Sequence, residues 1–248
     1  MLTPERQQKI LELVQKQEIV KLQDFVDATG ASESTIRRDL SQLEELNKLK
    51  RVHGGAARIH QKTEEPSILE KSSINLHEKQ LIAKAAAELV NEGDCIFLDA
   101  GTTTFQMIPY LENKQITVVT NGFAHIQSLM DKGLTTYIVG GFMKNKTGAI
   151  IGSKASQSLL EYNFDKAFIG ANGVHPKTGY TTPDPEEASI KTLAIKLANE
   201  TFILADSSKV NEVAFAKIGP LQSGTLITNK FEQGLAAAYK EITTVIEV

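Results

Sequence analysis

The chain has 248 residues, 41% hydrophobic and 23% charged, with 27 lysines and arginines against 30 aspartates and glutamates for a formal net charge of −3. That balance is ordinary for a globular protein with room for one or two cores. No apolar run reaches the ~18 residues of a membrane span, and the overall charge argues against indiscriminate nucleic-acid binding. The single cysteine, Cys95, opens the apolar stretch CIFLD without a partner or metal-ligand spacing, which excludes a disulfide framework. With an N-terminus that lacks the basic and apolar segments of a secretory signal, a cytoplasmic protein is expected.

Thr3, Pro4 and Glu5 open the first expected helix, since threonine caps free amides and proline loses no bond at a first helical position. Ile10, Leu11 and Val14 form its apolar stripe. A second helix is expected over 21–29, with Leu22, Phe25 and Val26 inward and Gly30 as its left-handed stop. Ser32 then caps a third helix, SESTIRRDL, on which Ile36, Leu40 and Leu43 share one face. The opposite face presents Ser34, Arg38 and Ser41, flanked by Thr35, Arg37 and Gln42. Short hydroxyls permit close approach to a surface, and arginine pairs bidentately with guanine or grips phosphate. A merely solvated face has the same composition, so the next segment matters.

KLKRVHGGAARI alternates around His53-Gly54-Gly55 and reads as two short strands in a hairpin with basic residues on its approach. Three short helices followed by a basic hairpin describe a winged helix-turn-helix. Ser32, Ser34, Thr35, Arg37 and Arg38 are the candidate reading residues, and Lys50, Arg51, His53 and Arg58 the candidate contacts of the wing with the DNA backbone. Over 34–60 the cations Arg37, Arg38, Lys48, Lys50, Arg51 and Arg58 outnumber Asp39, Glu44 and Glu45. The segment is locally basic in a mildly acidic chain.

Residues 58–77 lose periodicity and carry Pro66, as a connector does, between a DNA-binding domain at 1–57 and a second domain at 78–248. From Glu78 the pattern alternates: EKQLIAKAAAELV is a helix stopped by Gly93, and CIFLD a buried strand before AGTTT. ITVVT, TTYIV, KAFIG and TFILA repeat the strand signal, each followed by Gly, Asn, Ser or Asp residues. Strands alternating with helices imply an α/β layer on a largely parallel sheet, whose ligands bind beyond the carboxyl ends of the strands.

DAGTTT offers a glycine, hydroxyls and helix amides to an anion, although a plain capped turn has the same sequence and neither nucleotide-loop pattern is present. Lys209 suits an anionic group, while Asp206 and Glu187 suit sugar hydroxyls; the alternative is a surface ion-pair set. His77, His125 and His175 read as structural, no clustered His or Cys motif argues for a metal, and no cofactor is expected.

LTPERQQKILELV, ASESTIRRDLSQLEE and LKRVHGGA resemble the N-terminal signature of the DeoR family of bacterial repressors. The resemblance continues through DAGTTT, TNG, GG, GANGVHPKTGYTTPDPEEA and ADSSK, and so covers nearly the whole chain. It implies a winged reader of double-stranded operator DNA, acting as a homodimer or homotetramer, joined to a sensor with a fold similar to sugar-phosphate isomerases. By that resemblance Asp99, Gly101, Thr102, Thr103, Asn121, Gly141, Asn172, Glu187, Lys191, Asp206 and Lys209 occupy effector-pocket positions. RVHGGAA, EKSSINLHEK, CIFLDAGTTT and TGAIIG are most similar to the fructose-operon repressors of that family, which implies fructose 1-phosphate as inducer. Ala100 stands where many relatives carry serine. The rival expectation is a sugar-phosphate isomerase fused to a DNA reader, with Asp206, Glu187, Lys191 and Lys209 as acid-base groups.

Overall fold

A computed structural model of the chain describes residues 2–248 apart from 18, 47, 53, 59–61, 113 and 232–234. It divides into two compact units, 1–61 and 62–248.

The first unit runs α1 (Thr3–Lys16), β1 (Ile19–Lys21), α2 (Leu22–Thr29), α3 (Glu33–Glu45), β2 (Lys50–Val52) and β3 (Gly55–Ala57). Thr3 lies inside α1 rather than capping it: Leu2 precedes the helix, and its backbone N–H donates to the Glu5 carboxylate at 3.2 Å. Lys21 belongs to β1 instead of the second helix. β1 is a strand the sequence did not announce, and it pairs antiparallel with β3 to give the order β1-β3-β2. That pairing requires Gly55, where a Cβ would stand 2.1 Å from the Val20 carbonyl oxygen. Gly30 ends α2 at φ +69, and the Ser32 hydroxyl caps α3 by accepting the Thr35 amide. Ile10, Val14, Leu22, Phe25, Ile36, Leu40 and Leu43 meet in one small core, as their helical spacing requires.

The second unit begins with α4 (Ile68–Ser73) and α5 (Leu76–Glu88), then β4 (Cys95–Leu98), α6 (Thr102–Phe105), β5 (Thr117–Thr120), α7 (His125–Asp131), β6 (Thr135–Ile138), β7 (Phe142–Met143), β8 (Ile150–Ile151) and α8 (Ser153–Leu159). It continues with β9 (Phe164–Gly170), β10 (Gly173–His175), β11 (Gly179–Thr182), α9 (Pro185–Lys196), β12 (Ala198–Leu204), β13 (Ala216–Gly219), β14 (Thr225–Thr228), α10 (Leu235–Lys240) and β15 (Val245–Glu247). The stretch expected as a connector is therefore structured where it is described: Ser67 caps α4, and Asn75 precedes α5 at φ 51.

The main sheet has the order β15-β14-β12-β9-β4-β5-β6, parallel throughout. Side chains alternate across it. Ile96, Leu98, Val118, Phe168 and Leu204 pack under α5 and α7; Phe97, Val119, Ala167, Ile169 and Ile203 pack under α8 and α9. Strands buried on both faces read as continuous apolar runs, as CIFLD, ITVVT, KAFIG and TFILA do, whereas TTYIV forms the exposed edge strand β6. The antiparallel sheet β10-β11-β13, the strand β14 and the edge strand β15 were not anticipated. Among the described residues no helix is long and apolar enough to cross a membrane.

Candidate functional site

On α3, Ser32, Ser34, Arg37 and Arg38 are exposed and Thr35 is half-buried, opposite the buried Ile36 and Leu40. The Ser32 hydroxyl also lies 3.0 Å from that of Ser34 and 2.9 Å from that of Thr35, so its first task is to hold the helix start. Arg37 makes a long pair with Glu33 at 3.5 Å, exposed on both sides and of little energetic weight.

Two anions of this segment, Asp39 and Glu44, are held by structural partners. Asp39 is buried and gripped by Arg6 of α1, Nε at 2.5 Å and a second nitrogen at 3.2 Å from its other oxygen. Glu44 accepts the Arg51 amide at 2.9 Å. Arg51 also donates its guanidinium to Ser41 at 2.9 Å, fastening the wing to the reading helix. Lys50 is exposed and Arg58 half-buried on the hairpin. His53 lies outside the described residues. The combination leaves a cationic, hydroxyl-rich face with Asp39 and Glu44 occupied by structural partners.

In the second unit the strand order reverses between β4 and β9: β5 and β6 continue outward on one side, β12, β14 and β15 on the other. Such a reversal opens a crevice at the carboxyl ends of the strands. Asp99 follows β4 at this point, 1% exposed. Its carboxylate accepts the Gly170 amide at 3.0 Å and forms an ion pair with buried Lys191, reached from α9. Asn121, after β5, accepts the Ala100 amide at 3.0 Å and donates to the Ile150 carbonyl at 3.3 Å.

Gly101 leaves room for the Thr104 hydroxyl, which a Cβ there would crowd at 3.1 Å. Thr102 and Thr103 begin the one-turn α6, half-buried and buried. Behind this loop the Thr104 hydroxyl donates to the Asp99 carbonyl at 2.5 Å, and His125 Nε2 lies 3.3 Å from the same hydroxyl. With the Thr104 proton so placed, Nε2 carries the ring proton, and Nδ1 has no partner among the described residues. Burial pushes the His125 pKa down to about 4 against the opposing pull of Asp99, so the ring is neutral.

Asn172, after β9, accepts the Thr182 hydroxyl at 3.1 Å. Asp206, after β12, is buried and accepts the amide of Ser208 at 3.1 Å and the side-chain amide of Asn75 at 3.0 Å. Lys209 sits half-buried in the turn that follows. Glu187 lies one turn before Lys191 on the same face of α9 and accepts the Thr147 hydroxyl at 2.8 Å. Gly141 is exposed, packed where a Cβ would meet the Ile151 carbonyl at 2.7 Å.

Asp99, Asn121, Asn172 and Asp206 thus follow adjacent strands, with hydrogen-bonded groups around Asp99, Asp206 and Glu187 of α9, while Gly141 follows the edge strand β6. The sequence missed Lys144, which joins Glu187 at 3.2 Å to Asp184 at 2.5 Å and also pairs with Glu65. Burial would lower the Lys144 pKa, but the three carboxylates raise it above the usual lysine value. A lysine in the polar stretch KNKTG carries no local signal of such partners. Among the described residues no three His, Cys, Asp or Glu side chains gather where they could hold a metal ion.

Two family profiles match the chain: a DeoR-like helix-turn-helix domain over residues 6–62 and a DeoR C terminal sensor domain over 74–230. The HTH-type transcriptional regulator FruR of Bacillus subtilis (strain 168) is 51% identical over 99% of this chain and 98% of its own. The lactose phosphotransferase system repressor of Staphylococcus epidermidis (strain ATCC 12228 / FDA PCI 1200) is 33% identical over 88% of each. Among solved structures, ribose 5-phosphate isomerase A of Methanocaldococcus jannaschii is 24% identical at a TM-score of 0.42, over 55% of each chain.

Proposed function

Because the chain belongs to the DeoR family of transcriptional regulators, we propose that it represses a sugar-utilisation operon, that of fructose, and leaves its operator when fructose 1-phosphate binds the second unit. The observation that carries this reading is the pairing in one chain of the cationic α3 face with the polar cluster at the strand-order reversal. The isomerase alternative is set aside, since the family and its relatives are transcriptional regulators.

On DNA, Arg37, Arg38, Ser34 and Thr35 meet base edges while Ser32, Lys50, Arg51, His53 and Arg58 position the unit on phosphates. Two copies bind together, as a homodimer or within a homotetramer, because paired half-sites multiply a modest single-unit affinity. In the sensor, Lys209 and the Gly101–Thr103 turn receive the phosphate, and Asp99, Asn121, Asn172, Glu187, Lys191 and Asp206 take the sugar hydroxyls, with Gly141 permitting approach. A lactose-system repressor among the relatives supports a carbohydrate regulon, and the name FruR of the 51% relative supports fructose.

The test is isothermal titration of the full chain with a panel of sugar phosphates, with product analysis of the mixture. Selective binding of fructose 1-phosphate without turnover supports the reading. Absence of binding by every phosphorylated sugar overturns the inducer, and turnover overturns the receptor role.

A further inference from the structure

Residues 62–75, which follow the DNA-reading unit in sequence, are tied to the candidate effector residues by their own side chains. Glu65 is 5% exposed, too deep for an unpaired carboxylate. It pairs with Lys71 at 3.0 Å and with Lys144, the lysine that also reaches Glu187 and Asp184. Burial would raise the Glu65 pKa, but Lys71 and Lys144 hold it below the usual carboxylate value, so the pairing is attractive on balance. Lys144 is thus shared between the segment and the pocket.

A second tie lies at the other end. Asn75 sits in the left-handed region at φ 51 and donates its side-chain amide to Asp206 at 3.0 Å and to the Ser208 hydroxyl at 3.3 Å. Backbone bonds complete the attachment: Ile68 N–H to the Lys146 carbonyl and Phe215 N–H to the Lys62 carbonyl, both 3.0 Å. The two side-chain ties end on Glu187 and Asp206, residues on which an incoming ligand would act.

We propose that segment 62–75 is a latch fastened by Lys144 and Asn75, and that unfastening it lowers affinity for operator DNA. The proposal rests on the regulator reading above. Sugar hydroxyls compete with Lys144 for Glu187 and with Asn75 for Asp206. Either exchange removes partners from the segment without any large rearrangement of the sheet. The released segment loses its order, and the cost of ordering it again is subtracted from DNA binding.

The latch is testable without a ligand. Hydrogen exchange is followed in full-length wild type and Lys144→Met, alongside binding to a duplex carrying the promoter region of the proposed fructose-utilisation operon. The expected result is exchange about tenfold or more faster in 62–75, unchanged exchange in 2–46, and operator affinity about tenfold weaker with no sugar phosphate present. Asn75→Gly, which keeps the left-handed backbone but removes the amide, should act in the same direction and serves if Lys144→Met fails to fold. Unchanged exchange in 62–75, or faster exchange with undiminished DNA binding, overturns the latch. Failure of the wild type to bind the duplex strikes the operator reading instead, and the exchange comparison still decides whether the segment is latched.

Discussion

Asp99 and Gly170 meet across the point where the strand order of the sheet reverses, the carboxylate of one accepting the amide of the other at 3.0 Å. One residue follows β4 and the other ends β9, so this bond closes the floor of the crevice in which the family's ligand is proposed to lie. The ion pair of Asp99 with buried Lys191 secures the same floor from α9.

Asp99→Asn keeps an acceptor for the Gly170 amide but leaves the Lys191 ammonium buried without its counter-charge. Breaking a buried pair on one side costs about 3 kcal/mol or more. The urea midpoint of the second unit should fall accordingly while operator binding by the folded fraction persists. A midpoint equal to wild type would show that Lys191 finds another partner.

Arg38→Ala removes an exposed cation from the reading face without touching the core. It should lower operator affinity by about 1–3 kcal/mol and relax discrimination at one base pair. Sugar-phosphate titration of the variant should match wild type. Competition binding against single-base operator variants, at fixed salt, checks both statements.

Lys209→Ala should bind operator as wild type does and require much more fructose 1-phosphate for release, since a charge-assisted contact to the phosphate is lost. An unaltered release curve would take Lys209 out of the pocket.

His125 gives a pH dependence with a definite sign. Its pKa falls from the model-peptide value of 6.5 to about 4 on folding, because burial disfavours the charged ring. Below 6.5 the unfolded chain takes up a proton that the folded one refuses. The stabilisation is therefore complete above pH 6.5 and declines as pH falls toward 4, by up to about 3 kcal/mol. His125→Gln should flatten this slope in denaturant melts between pH 6.5 and 4. Equal slopes for the two proteins would mean the ring is solvated in the native state.

The elements that were legible in the sequence are those whose signal is local. Ile36, Leu40 and Leu43 declare the buried face of α3, Gly30 the end of α2, and CIFLD, ITVVT and KAFIG the strands sealed on both sides. β1 was invisible because three residues have too little periodicity to read, and its existence depends on Gly55 lying far along the chain. The structure of 62–75 was missed for a related reason. Glu65, Lys144 and Asp184 come from distant segments, and each alone looks like a solvated charge. Arg6 and Asp39 were hidden in the same way, although their bond clears the acidic side chain from the reading face.

The central claim is that one ligand event in the sensor ends DNA binding. The most direct measurement is fluorescence anisotropy of the full chain on a labelled duplex from the promoter of the proposed fructose-utilisation operon, titrated with fructose 1-phosphate at constant ionic strength. The account predicts tight binding without sugar phosphate and saturable release by fructose 1-phosphate, with fructose and inorganic phosphate ineffective at the same concentrations. Anisotropy that stays high while calorimetry shows the sugar phosphate bound would contradict it.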